Sequence, residues 1–255
     1  MRGVLVGVVL TLLFLLPYVS ATDYYVSQVD GNDSYNGLYP TYEGGSNGPW
    51  LTLAKSVSGV SSGDTVYLRA GTWNEKLVIS YRSYTNRTTW ARYPSDPVGS
   101  VILNGTNLER NQWEDGIVFI ENTDYVRIDG LKVIHAYKTG IGAISGQYIE
   151  ILNCITNNTG QAGIETWYVD GCLIQGNTIS NANIGTMAFG DPSTPWGYEE
   201  TLSIVTSTNV EVCYNTLYGS NRTLGAIGGE GLNVKHGSSY VYVHHNYVDQ
   251  ARPDG

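Results

Sequence analysis

Cysteine is nearly absent from this chain: Cys154, Cys172 and Cys213 are the only three in 255 residues. A small exported domain stapled by disulfides carries more of them, and in even number, so a disulfide scaffold is excluded. Buried thiols acting as small apolar side chains are the simpler reading. Positive charge is also short. Lys and Arg total 14 against 23 Asp and Glu, a formal charge of −9. That balance argues against a nucleic-acid partner, whose affinity rests on cations placed at phosphates. It leaves room for a polyanion, because one local cation or metal can reverse the field inside a cleft. The chain also lacks a G-x-S-x-G elbow, a glycine-rich phosphate loop and any zinc-like spacing of His, Cys and Asp. Beyond the N-terminus it has no amphipathic helix longer than a turn or two.

One long apolar run does occur. Val4 to Leu16 spans 13 residues behind Arg2 and is followed by "PYVSA". A membrane-spanning helix needs about 20 apolar residues, so the run is too short to cross. With the small residues Val19 and Ala21 before the cut, residues 1–21 read as a secretory signal. The mature chain, 22–255, is then expected to be exported, secreted or held at the cell surface, off the membrane once the signal is removed, and monomeric.

What the chain has in quantity is glycine (31), tyrosine (20), asparagine and threonine, a composition of β-structure with many tight turns. A short phrase recurs: "YVRIDGLKV" (125–133), "YIEILNCIT" (148–156), "GCLIQGNTI" (171–179), "NVEVCYNTL" (209–217) and "YVYVHHNYV" (240–248), with starts 23, 23, 38 and 31 residues apart. Such self-similarity marks a solenoid, and β-phrases with Asn and Gly turns mark a parallel β-helix. The longer intervals then hide insertions, in "GTMAFGDPSTPWGYEE" (185–200) and "GSNRTLGAIG". Stacking the phrases aligns Cys154, Asn177, Asn215 and Asn246 as an internal ladder of hydrogen-bonding side chains. Residues 22–75 read as an N-terminal cap and first coil with a short helix near Thr52–Val60, and 76–255 as the coils. The chain stops at "RPDG" directly after a coil, as a solenoid cut short would.

The cap carries a family resemblance. "GPWLTLAKSV…SSGDTVYLRAGTW" is similar to the opening sequence of exported β-helix proteins of the pectate-lyase-like superfamily, which includes polysaccharide lyases. The resemblance covers nearly the whole mature chain and implies an all-β, single-stranded, right-handed parallel β-helix.

Aligning "TGIGAI" (139–144), "AGIETW" (162–167), "ETLSIV" (200–205) and "EGLNVK" (230–235) points Ile141, Ile164, Leu202 and Leu232 inward. Three outward columns are expected: Ile144, Trp167, Val205, Lys235; Thr139, Ala162, Glu200, Glu230; and Gly142, Glu165, Ser203, Asn233. Coils lie about 4.8 Å apart, so Glu200 and Glu230 form a like-charge pair that calls for a cation, with Ca2+ the natural choice for oxygen ligands outside the cell. Lys235 lies five residues beyond Glu230, about 17 Å along a strand, too far to pair with it but suited to a cleft holding several sugar units. Trp167, in the lysine's own column, is placed to stack on a sugar ring, and Asn233 and His236 join it as expected substrate contacts. By strand alternation His244 and His245 face opposite ways.

"E-G-L-N-V-K" resembles the pattern of β-helix lyases of the chondroitinase-B and alginate-lyase type. The resemblance implies Glu230 as a calcium ligand and Lys235 as the general base. It places a catalytic arginine near residue 256, and Arg252 is the nearest to that position. Gly228 stands where the pattern has a second Glu. The chemistry implied is β-elimination from an acidic, uronate-containing polysaccharide. Two other readings stand beside it: a glycoside hydrolase with a carboxylate pair among Glu165, Glu199, Glu200 and Glu230, and a non-catalytic glycan-binding or adhesive β-helix.

Overall fold

A computed structural model describes residues 20–108, 116–185, 200–219 and 231–249. Residues 1–19 of the expected signal, most of the two insertions, Glu199, Glu230 and Arg252 lie outside them. Elements are numbered in chain order. One sheet of eight parallel strands contains β1 (Asp23–Val26), β2 (Thr65–Leu68), β5 (Thr88–Arg92), β8 (Val126–Asp129), β11 (Gln147–Leu152), β14 (Asp170–Gln175), β17 (Thr208–Cys213) and β20 (Ser239–His244). A second contains β4 (Leu77–Ser80), β7 (Val118–Glu121), β10 (Ile141–Ile144), β13 (Ile164–Trp167), β16 (Leu202–Val205) and β19 (Leu232–Lys235). The third contains β3 (Gly71–Trp73), β6 (Val101–Asn104), β9 (Lys132–Ala136), β12 (Ile155–Thr159), β15 (Thr178–Ser180), β18 (Thr216–Tyr218) and β21 (Tyr247–Asp249). Each coil contributes one strand to each sheet. The chain is therefore an all-β, right-handed parallel β-helix, as the repeat and the resemblance imply.

The packing follows from alternation. Ile149 and Ile151 on β11, Cys172 and Ile174 on β14, and Val210 and Val212 on β17 pair in register and fill the interior. Burying each such aliphatic side chain contributes about 1.5–3 kcal/mol, and the stacked columns form one continuous core. Cys154, Cys172 and Cys213 are all free and buried, as expected. The short helix expected near Thr52–Val60 is present. Thr52 caps α1 (Leu53–Ser58) by accepting from the Lys55 N–H at 3.0 Å, and β1 pairs with β2.

Corners are made by residues in the left-handed region. After the strands of the second sheet these are Tyr81, Asn122, Ser145, Tyr168, Thr206 and His236, with φ between 44° and 56°. This conformation is costly for any residue with a Cβ, of order 1–2 kcal/mol. It persists because the corner amide continues the ladder: Tyr81, Asn122, Ser145, Tyr168 and Thr206 each donate to a carbonyl of the next coil, at 2.9–3.2 Å.

The expected ladder is present. Asn177 accepts from the Cys154 N–H at 2.8 Å, Asn215 accepts from the Asn177 N–H and Nδ2 at 2.9 Å, and Asn246 accepts from the Asn215 N–H and Nδ2 at 2.9 Å. Each amide also donates inward or along the axis to a carbonyl, Asn177 to Ile151 and Asn215 to Ile174 at 2.9 Å and Asn246 to Val212 at 2.8 Å. Cys154 ends the ladder within the core, where burial pushes its thiol up to about 12.

Candidate functional site

The second sheet sets the site by register. Ile141, Ile164, Leu202 and Leu232 are paired in sequence along the sheet, as are Gly142, Glu165, Ser203 and Asn233, and Ile144, Trp167, Val205 and Lys235. The register of these columns matches the sequence alignment residue for residue, but Gly142, Glu165, Ser203 and Val205, expected to face outward, are buried. The remaining column departs from expectation in the same way. Thr139 and Ala162 are fully buried and Glu200 is 4% exposed, so these positions are tucked beneath the bend that leads into each strand instead of facing solvent. The bend is tight: a Cβ on Gly140 would stand 2.6 Å from the Gly163 carbonyl oxygen.

That burial changes the role of Glu200. Its Oε2 accepts from Lys235 Nζ at 2.9 Å and from Ser203 Oγ at 2.9 Å, and its Oε1 accepts from Asn233 Nδ2 at 3.1 Å. The lysine's partner is thus the glutamate of the preceding coil, 35 residues earlier, and the pair is largely sheltered, with side-chain exposures of 19% and 5%. Glu165, one coil further along, is also buried, and its Oε2 accepts from Thr139 Oγ1 at 3.1 Å. Ser203, paired in register with Glu165 and bonded to Glu200, lies between the two carboxylates. Serine and threonine carry no charge and blend into a Ser- and Thr-rich β-sequence, so Ser203 and Thr139 were not legible as partners; their only signal was column membership.

Trp167 sits beside this cluster, half-buried, with fully buried Val205 between it and Lys235 along the sheet. Its ring lies 6.4 Å from that of His236, at an interplanar angle of 20°. The structure therefore brings together Lys235, Glu200 and Asn233, and sets Trp167 and His236 next to them. Glu230 and Arg252 lie outside the described residues. As a calcium site the described groups fit poorly. An ammonium, an amide N–H and a hydroxyl face the Glu200 oxygens, a donor set suited to a carboxylate and not to a hard cation that takes six to eight oxygens.

The histidine expectation needs correction as well. His244 Nδ1 and His245 Nδ1 lie 2.7 Å apart. His245 has φ 53°, so the corner breaks the strand alternation that had set the two rings on opposite faces.

The sequence profile of the family described as right handed beta helix region matches residues 98–255, more than half of the chain. This chain belongs to that right-handed β-helix family. Among solved structures it is similar to pectate lyase Pel9A, with 16% identity, TM-score 0.54 and coverage of 84% of this chain and 58% of that one. It is also similar to a rhamnogalacturonan lyase (13%, TM-score 0.47, 89% and 62%) and to a GH136 lacto-N-biosidase from Eubacterium ramulus (12%, TM-score 0.46, 88% and 56%). The chain spans less than two thirds of the length of each of these structures. No curated protein shows a significant match to this sequence. Among the described residues no helix is long and apolar enough to cross a membrane.

Proposed function

We propose that this β-helix protein is an extracellular carbohydrate-active enzyme that cleaves an acidic polysaccharide by β-elimination, with Lys235 and Glu200 as its working pair. The observation that carries the reading is the sheltered contact between Lys235 Nζ and Glu200 Oε2 at 2.9 Å on an outer sheet face, beside the stacked Trp167 and His236. The fold shared with pectate lyase Pel9A adds support.

An ammonium held by a carboxylate is not a base, so the pair must first change state. A polysaccharide lying along the face excludes water. Desolvation weighs against separated charges, and the proton has only the 2.9 Å contact to cross. The product is a neutral amine at Lys235 and a carboxylic acid at Glu200. The amine takes the C5 proton of a uronate, the C5–H electrons form the C4=C5 double bond, and the C4–O bond breaks. The leaving oxygen takes its proton from Glu200. Asn233 is placed to donate to the substrate carboxylate once Glu200 is protonated, which stabilises charge developing there, and Trp167 offers a stacking surface for a neighbouring sugar.

Calcium carried by Glu200 with Glu230 is a separate proposal. It competes with the ion pair for Glu200, and no step above is routed through it. Glu165 and Glu200 support a second reading: two buried carboxylates on adjacent coils of one face are the groups an acid–base glycoside hydrolase needs.

The test is incubation with a panel of polyuronides, with and without chelator, following ultraviolet absorbance of the unsaturated product and reducing ends in parallel. Absorbance lost in Lys235→Ala supports the elimination. Reducing ends without absorbance, lost in Glu165→Gln, transfer the site to hydrolysis. Glycan binding that survives Lys235→Ala with no product leaves a binding module. Chelation that abolishes turnover supports the calcium proposal.

A further inference from the structure

The first sheet carries a second cluster that the proposed reaction does not use. On β17, Glu211 and Cys213 are two residues apart and share a face, because Val210 and Val212 point into the core. On β20, His244 is the register partner of Cys213. One ligand atom from each of Glu211, Cys213 and His244 lies within 4.8 Å of the others, and His244 Nε2 is 3.0 Å from Glu211 Oε1. Cys213 is 2% exposed. One carboxylate, one thiol and one imidazole thus stand within ligand reach of a common point.

We propose that Glu211, Cys213 and His244 form a binding site for a borderline-soft divalent cation, Zn2+, that bridges the last two described coils on a face distinct from that of Lys235. Charge supports it: loss of the Cys213 proton leaves one thiolate and one carboxylate, whose two negative charges a divalent ion balances. Ligand type supports it, since a thiolate, an imidazole and a carboxylate suit zinc, whereas calcium and magnesium take oxygen. Size supports it too: with Zn–ligand distances of about 2.0–2.3 Å, closing these three groups on one ion takes movements of about 1 Å.

An independent feature prepares the histidine. His244 Nδ1 lies 2.7 Å from His245 Nδ1, so one of the two rings carries the proton between them. When Nε2 of His244 is given to a metal, Nδ1 must hold the proton and donate it. His245 is the acceptor in place, which is the outer-shell contact that orients a metal-binding imidazole. Its ring is fixed by stacking on Tyr214 at 5.0 Å and 15°, and Tyr242 lies 4.4 Å from the His244 ring. Three protein ligands leave a fourth position open to water or a small anion.

The experiment is a cobalt titration of the reduced, chelator-stripped full chain. One equivalent of Co2+ should raise a sulfur-to-cobalt charge-transfer band in the near ultraviolet with intensified visible absorption of a tetrahedral ion, and Zn2+ should abolish both by displacement. Cys213→Ala should lose the charge-transfer band, and His244→Gln should weaken zinc binding at least tenfold with an unchanged circular dichroism spectrum. No charge-transfer band in the native protein overturns the proposal. So does zinc affinity that is unchanged in His244→Gln, an arm that stands even if Cys213→Ala fails to fold.

Discussion

Lys235 and Glu200, 35 residues apart in sequence, meet at 2.9 Å across the boundary between two coils, and Glu200 keeps that contact while only 4% of its surface reaches solvent. A carboxylate buried to this degree depends on its partners, and among the described residues these come from β16 and β19.

The pair should therefore behave as one unit in stability. Lys235→Ala leaves a buried carboxylate with only neutral donors and should cost about 3 kcal/mol, the range seen when one partner of a sheltered pair is removed. Glu200→Gln keeps the shape and the Asn233 and Ser203 contacts and should cost less. Combined, the two substitutions should destabilise by clearly less than the sum of the singles, since deleting both charges leaves neither stranded. Urea midpoints of the four proteins measure this coupling, and simple additivity would show that the contact contributes nothing.

The asparagine ladder should be the most sensitive polar feature of the interior. Asn215→Ala strands the N–H and Nδ2 of Asn177 and the carbonyl of Ile174. At about 1–3 kcal/mol for each buried unsatisfied group, the loss should be about 3–5 kcal/mol. Thermal unfolding followed by circular dichroism should show it, together with faster amide exchange at Cys154 and Asn177.

Gly163 should resist substitution for a steric reason. A Cβ there would stand 2.2 Å from Ile179 Cγ2 and 2.6 Å from Thr156 Oγ1. Gly163→Ala should cost about 2 kcal/mol or more through overpacking. Adding Ile179→Val should recover none of it, whereas Ile179→Ala, which removes the clashing methyl, should recover part despite its own cavity. Equilibrium unfolding of the three variants tests this ordering.

Acid should loosen the cap before the coils. Burial alone would push the Asp33 carboxyl up, but the N–H and hydroxyl of Thr52, the N–H of Leu51 and the charge of Lys55 outweigh it and hold the group below its ordinary range. Asp96 is likewise pushed up by burial and pulled further down by Arg69, the Ala70 N–H and Arg92. Both are depressed carboxylates, so their stabilisation is complete above the ordinary aspartate value of about 3.9 and is lost as pH falls through the lower folded values. Urea midpoints measured downward from pH 6 should fall most steeply below pH ~4. Asp96→Asn should flatten that slope while lowering the plateau.

Much of the architecture was legible because a solenoid repeats its own grammar. One correctly placed phrase constrains its neighbours, and for that reason Ile144, Trp167, Val205 and Lys235 fall into one column in the sequence as they do in the structure. The Asn ladder was legible for the same reason. Misreadings arose at corners. Strand alternation holds only while φ stays extended, and each coil turns through residues such as His236 and His245 in the left-handed region. Alternation alone therefore puts His244 and His245 on opposite faces where the structure brings them together, and turns Glu200 outward where the structure buries it under a bend.

The order of apolar, small and asparagine residues thus determined by itself the repeat, the parallel β-helix and the asparagine ladder, because each depends on a pattern that recurs from coil to coil. Only the tertiary structure decided that Lys235 pairs with Glu200 and that Glu211, Cys213 and His244 converge. Those contacts join coils separated by insertions of irregular length, and their geometry is set by where the backbone turns, which local pattern does not encode.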